Sequence, residues 1–433
     1  MALALALLAI FAAMAVLMYL NRLPAIVALP IMAILIALVA RVPAADLANI
    51  VSDGAFLLHK AYATAILGAI LAEIVAKTGV AETMVKKAAE LGGDRPLLLA
   101  LLLTAVVALL FTTLGGLGAV IMVATIVFPI LLALGVPPLT VGALFLLGMS
   151  LGGIFNLTNW QLYKETLGLQ TGTILSFAVP LGCVLALATA AYAAVNLRAS
   201  RLRRYWQDPD PARPTTFAPW YLLLTPIIPL LPVLGFGAYS ILARPKTPFD
   251  FPIITAMVIG IAYGLLLAPR PPQGRIQLLT RSAIDGIGAV APAVALMLGI
   301  GMLIKAVTHP LVLDQVRPLL TSILPSSPLG YVIVFTVLAP LALYRGPLNI
   351  WGMGFGLAKM MAAAPGLGPA AVMAALLSVG QIQGVCDPTN THNVWIANHV
   401  GVDVQRILRS TLLYVWAAAA LGLIVAAILF LAR

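Results

Sequence analysis

The groups able to do chemistry in this 433-residue chain gather in two short runs. One is Gly384-Val385-Cys386-Asp387-Pro388-Thr389-Asn390-Thr391-His392-Asn393, and the other is Gly152-Gly153-Ile154-Phe155-Asn156-Leu157-Thr158-Asn159. Asn, Asp and Thr side chains compete with the backbone for its hydrogen bonds and Pro388 removes a donor, so both runs favour a break in a helix. Freed carbonyls and Asn/Thr oxygens suit Na⁺, while the N-terminus of a resuming helix suits a carboxylate. Asp387 and His392 add groups that can take up and release a proton.

Two polar turns lie between apolar arms: Thr112-Thr113-Leu114-Gly115-Gly116 and Tyr344-Arg345-Gly346-Pro347, with Asn349 just beyond. The planar guanidinium of Arg345 suits a carboxylate, and an ion pair with Asp387 is its alternative use. The candidate substrate site is therefore Thr112, Thr113, Gly115, Gly116, Asn156, Thr158, Asn159, Arg345, Gly346, Asn349, Thr389, Asn390 and Asn393. The candidate coupling-ion site is Asp387, His392, Asn156 and Asn390. No resident metal or cofactor is expected, and Na⁺ is a candidate coupling ion only; Asp387 with His392 is too sparse for a metal site.

Other residues have plainer uses. Glu73 and Lys305 are expected to snorkel or pair, and Trp160 and Trp395 to pack. Asp53 and Asp285, each before a glycine, are expected to cap helices, and Lys164 to pair with Glu165. Two cysteines, Cys183 and Cys386, make no disulfide framework.

The elements that carry these residues follow from composition. The chain is 62% apolar and 9% charged, against roughly 45–50% and about 25% for a soluble domain. Successive apolar runs of spanning length indicate an all-α polytopic membrane protein and exclude a soluble enzyme. The net charge of +11 is explained by positive-inside bias, so no nucleic-acid partner is implied. Residues 2–20 carry no charge and are expected to be the first span rather than a cleaved leader.

Seven apolar segments fall in each half, at 2–20, 24–40, 60–78, 97–113, 115–134, 139–155 and 173–197, then 219–242, 251–268, 284–307, 329–344, 347–364, 370–385 and 406–432. Displacing the sequence by 231 positions pairs Gly115 with Gly346, Pro138 with Pro369, Gly153 with Gly384, and Thr158-Asn159 with Thr389-Asn390. An internal duplication accounts for this: a first repeat at 1–197, a cytoplasmic linker at 198–218 and a second repeat at 219–433. If the polar turns are the tips of re-entrant hairpins, each repeat crosses five times and the second is inverted. Early spans then form a scaffold, with transport elements at 97–175 and 329–408. The clustering of basic residues places both termini outside a cell (inner) membrane.

Ala69-Ile-Leu-Ala-Glu73-Ile-Val-Ala-Lys-Thr78-Gly79, the arm from Pro96 to Leu114, Phe128-Pro129, Gly135-Val-Pro-Pro138 and the Gly-Gly-Ile-x-Asn run at 152–156 resemble the ion transporter superfamily. Leu23-Pro-Ala-Ile-Val-Ala-Leu-Pro30, the chain length and the basic linker are most similar to its citrate–metal/proton symporter branch. The resemblance implies a homodimer whose hairpins and broken helices move as an elevator against a scaffold, carrying substrate between the hairpin tips. The Ser-Asn-Thr hairpin signature of the dicarboxylate branch and the acidic hairpin turn of citrate–metal carriers are both absent. Two functions follow as expectations: transport of a small carboxylate coupled to H⁺ or Na⁺, or Na⁺/H⁺-type antiport. No catalytic set or nucleotide loop is present.

Overall fold

The structure is a computed structural model, and it describes all residues except Met1, Asn21, Asp94, 199–216, Pro248, 270–273, Ser326, Arg345, 364–365 and Arg433. The described residues are 81% helical with no strand, as the apolar composition requires of a backbone that must satisfy itself in lipid. The first half holds α1 (Ala2–Tyr19), α2 (Ala25–Val39), α3 (Ala44–Phe56), α4 (His59–Lys77), α5 (Val80–Gly92), α6 (Pro96–Leu110), α7 (Gly116–Ala133), α8 (Pro138–Ile154), α9 (Leu157–Leu167) and α10 (Thr171–Arg198). The second holds α11 (Leu230–Ala243), α12 (Ile253–Leu267), α13 (Arg275–Val307), α14 (Pro310–Ile323), α15 (Pro328–Leu338), α16 (Gly354–Ala362), α17 (Pro369–Cys386), α18 (Thr391–His399) and α19 (Val404–Phe430). Pro96, Pro138, Pro328 and Pro369 open their helices, where the missing N–H costs nothing.

Among the described residues, six helices or helix pairs are long and apolar enough to cross a membrane, or seven if the bent pair α8–α9, broken at 46°, is one span. Shorter apolar helices such as α2, α6, α11 and α12 accompany them. This is a multi-pass membrane protein. The apolar segments expected at 2–20, 24–40, 97–113, 115–134, 139–155, 173–197, 251–268, 370–385 and 406–432 each contain a helix. Elsewhere the boundaries differ. The third span begins at Ala44 because α3 and α4 abut, and its counterpart α13 begins at Arg275, so polar first turns hid both starts. Segment 219–242 divides into a 3-10 turn at Trp220–Leu224 and α11. The returning arm expected from 347 is helical only from Gly354. Helices α5 and α14 are amphipathic rather than apolar, and a search for apolar runs misses them. Helix α10 ends at Arg198, and the expected linker lies almost wholly outside the described residues.

Helix α13 packs along α2, α3 and α4. Glycine permits the closest approaches. A Cβ on Gly54 would lie 2.7 Å from Met302 Cα, and one on Gly301 would lie 2.2 Å from Gly54 O. At the other end of α13, a Cβ on Gly286 would lie 2.9 Å from Ala69 C and from Ile70 N. The two contacts match residue for residue at a spacing of 232 positions: Gly54 with Gly286, Ala69 with Gly301, Ile70 with Met302. Ion pairs pin both ends. Lys77 Nζ is 2.6 Å from Asp285 and 3.2 Å from Glu73, while Lys305 Nζ is 3.6 Å from Asp53. Glu73 and Lys305 thus pair as expected, but Asp53 and Asp285 do not cap helices. They lie inside α3 and α13, where a carboxylate facing a lysine of the neighbouring helix gains more than a mid-helix turn could offer it.

Helices α8 and α17 also touch. Ser150 Oγ donates to Gln381 Oε1 at 2.7 Å, and both residues are buried. These positions are themselves 231 apart.

Candidate functional site

The first break separates α8 from α9 at Phe155-Asn156. Asn156 Nδ2 donates to Phe111 O (2.8 Å) and Leu114 O (3.2 Å) in the turn between α6 and α7. Its Oδ1 caps α9, accepting from the N–H groups of Thr158 (3.0 Å) and Asn159 (3.2 Å). All four hydrogen-bonding positions of the amide are filled. Asn159 Nδ2 donates back to Gly153 O at 3.1 Å, satisfying a carbonyl at the end of α8. In the turn itself, Thr112 Oγ1 donates to Leu109 O (2.6 Å), Thr113 Oγ1 to Pro226 O (3.0 Å), and Leu157 N–H to Thr112 O (3.1 Å). Gly115 and Gly116 complete it, and the left-handed backbone of Gly116 (φ 86°) favours glycine. Thr158 is half-buried beside Gly68 of α4, where a Cβ would lie 3.0 Å from Thr113 O.

The second break, between α17 and α18, carries a carboxyl group. Asp387 is 1% exposed. Its Oδ1 accepts from Thr389 N–H (2.9 Å) and Thr389 Oγ1–H (2.6 Å), and its Oδ2 accepts from Asn349 Nδ2 (3.2 Å). Asn349, also buried, donates from the same nitrogen to Ala342 O (3.2 Å), and its Oδ1 accepts from Trp351 N–H. Asn393 Nδ2 donates to Val385 O (3.2 Å) and Asp387 O (3.0 Å); its Oδ1 is buried without a partner. Asn390 caps α18 through His392 N–H (3.3 Å). The His392 side chain is half-buried, and Gly346 sits in the turn after Ala342.

The structure therefore gathers Asn156 with Thr112, Thr113 and Asn159 at one junction, and Asp387 with Asn349, Thr389, Asn390 and Asn393 at a second. Arg345 lies outside the described residues. Trp160 is fully buried and donates from Nε1 to Ile154 O (2.7 Å), while Trp395 stacks on His399 with centroids 4.8 Å apart, so both pack as expected. Lys164 does not pair with Glu165. It pairs with Asp250 at 2.6 Å, while Glu165 reaches α4. Residues on α9 three or four apart share a face, but two successive ones point apart, which is why that pairing fails. Gly68 was not among the expected site residues; a glycine, Gly299, stands 231 positions on, at the spacing of the repeat, and that was the available signal.

An oxygen-rich, desolvated junction of this kind can hold a cation or a proton, and lipid would not tolerate it without such a use or full internal satisfaction. Among the described residues no cluster of three His, Cys, Asp or Glu could hold a metal ion.

The fold and these junctions define a polytopic helical membrane protein built around interrupted helices. No family model matches the chain, and no curated protein matches it. Among solved structures, the fold is similar to that of the Alcanivorax borkumensis YdaH transporter, described as having an unusual topology. The TM-score is 0.53 at 15% identity, covering 86% of this chain and 86% of that one. It is also similar to Neisseria gonorrhoeae MtrF, associated with a class of antimetabolite efflux pumps, with a TM-score of 0.50 at 14% identity, covering 89% of this chain and 85% of that one. One is a transporter and the other is associated with efflux pumps, and neither supports the citrate–metal/proton symporter branch that the sequence resembles.

Proposed function

We propose that the chain is a secondary active transporter of a small organic anion, of the carboxylate class, coupled to H⁺ or Na⁺. The observation that carries this reading is the second break: a carboxylate 1% exposed, held by Asn349 and Thr389, with Asn393 on the backbone carbonyl of the same residue, at a helix interruption in an otherwise apolar chain. Asp387 and the open Oδ1 of Asn393 would take the coupling ion, with Asn156, Asn390 and His392 as further candidates. Thr112, Thr113, Gly115, Gly116, Thr158, Asn159, Gly346, Asn349, Thr389 and Arg345 would line the anion's path, Arg345 by the charge it brings.

In this reading the halves are inverted repeats. The matched glycine contacts of α3–α4 with α13 support it, as does the bond between Ser150 and Gln381, residues that a two-fold axis would bring together. The α6–α7 and α15–α16 pairs would be the hairpins, and the protein would work as a homodimer, its hairpins and breaks moving as an elevator in the cell membrane with both termini outside. Likeness to MtrF favours a second direction of travel, in which the same cycle exports the anion.

The test is carboxylate-dependent thermal stabilisation of the purified protein. A stabilising carboxylate should be found in a panel of mono-, di- and tricarboxylates, with the gain reduced in Arg345→Ala. A panel without effect, together with Na⁺/H⁺ exchange in proteoliposomes, would overturn the reading in favour of cation antiport.

A further inference from the structure

The span built from α3 and α4 is broken at Leu57-Leu58, whereas α13, its counterpart in the second half, runs unbroken from Arg275 to Val307. A break opens a helix N-terminus, whose first N–H groups have no partner within the helix. Leu58, at the N-cap position, has no side-chain acceptor to offer. The acceptor comes from a different part of the chain. Glu165 of α9 receives Lys60 N–H on Oε1 (3.0 Å) and Ala61 N–H on Oε2 (2.9 Å). Its side chain is only 9% exposed, and the positive end of α4 favours the negative charge. His59 lies at the exposed side of the break: its Nδ1 is 3.2 Å from Phe56 O, the end of α3, and 3.9 Å from Glu165.

Among the described residues the second half has no such device. At the 231-position spacing of the repeat Asn156 falls on Asp387; matching instead by role, N-cap Asn156 to N-cap Asn390 at 234 positions, sets His399 opposite Glu165. His399 stacks on Trp395 and lies tilted against Phe128 of α7, so it meets aromatic rings rather than the start of a helix. The contact thus joins one broken helix of the first half to one broken span, and among the described residues it is made only where α9 meets α4.

We propose that Glu165 is a latch: its carboxylate, docked on the N-terminus of α4, holds α9 against the α3–α4 span in the state described here, and must release when α9 moves. This rests on the reading of α9 as part of a domain that travels against a scaffold containing α3 and α4. Because only one half carries the latch, the two end states of the transport cycle differ in energy, and the latched one is favoured in the absence of substrate.

The experiment measures spin-label distances in lipid nanodiscs between Ser52→Cys on α3 and Gln170→Cys after α9, both exposed positions, in a Cys183→Ser background. Two distance populations are expected, with the latched one dominant. Glu165→Ala should lower the latched-to-released ratio by about tenfold or more, the loss appropriate to charge-assisted bonds. Glu165→Gln, which keeps one acceptor oxygen, should lower it less. A ratio unchanged in both variants overturns the latch while leaving the moving domain standing. Should Glu165→Ala fail to fold, an unchanged ratio in Glu165→Gln overturns it alone. A single distance in the wild type under every Na⁺, pH and carboxylate condition would overturn the moving domain and the latch together.

Discussion

The two helix breaks make the same kind of connection with different chemistry. In the first, one neutral residue does everything: Asn156 ties Phe111 O and Leu114 O to the start of α9, with all four of its hydrogen-bonding positions filled. In the second, the position 231 residues on is Asp387, and the work is divided. Asn349 reaches Ala342 O, the equivalent of Phe111 O, and hands its charge-assisted bond to Asp387, while Asn390 caps the helix and Asn393 keeps an open acceptor. A closed amide knot and an open one that carries a carboxyl group, in matching places, fit the proposed division of labour in which the first half gives rigidity and the second handles the ion.

That contrast is broken most severely by Asp387→Asn, which makes the second break as neutral as the first. Gradient-driven uptake into proteoliposomes should fall to that of empty liposomes, with substrate exchange persisting when no gradient is imposed. Asn156→Ala should act on stability instead. It frees two carbonyls and two amide hydrogens near a helix start, at a cost of roughly 3–4 kcal/mol by denaturation in detergent. A transport defect without a stability loss in that variant would erase the distinction between the breaks. The paired contacts of α13 offer a smaller comparison. Gly301→Ala, with backbone 2.2 Å from the added carbon, should destabilise more than Gly286→Ala at 2.9 Å, both within about 1–3 kcal/mol. Smallest is Ser150→Ala. Gln381 keeps its own bond to Leu377 O, so the loss should be about 1 kcal/mol.

Much of this was legible in the sequence because lipid imposes simple rules. Apolar runs located the long helices, and Asx and Thr clusters with glycine located both breaks. What stayed hidden depends on partners distant in sequence. Asp53 and Asp285 looked like caps from their neighbours alone, yet each answers a lysine of a helix in the other half. Glu165 looked like a partner for Lys164, but its ligands lie more than one hundred residues earlier, at Lys60 and Ala61. The start of α16 at Gly354 was also unreadable locally: the turn from Gly346 to Met353 is held by Asn349, whose backbone carbonyl accepts from Gly352 N–H and Gly354 N–H.

The measurement closest to the central claim is uptake of labelled carboxylates by wild-type and Asp387→Asn proteoliposomes, with H⁺ and Na⁺ gradients imposed separately. One of the two gradients should stimulate the wild type, and that stimulation should vanish in Asp387→Asn while gradient-free exchange survives. Stimulation that is unchanged in Asp387→Asn would contradict the assignment of the coupling ion to the second break.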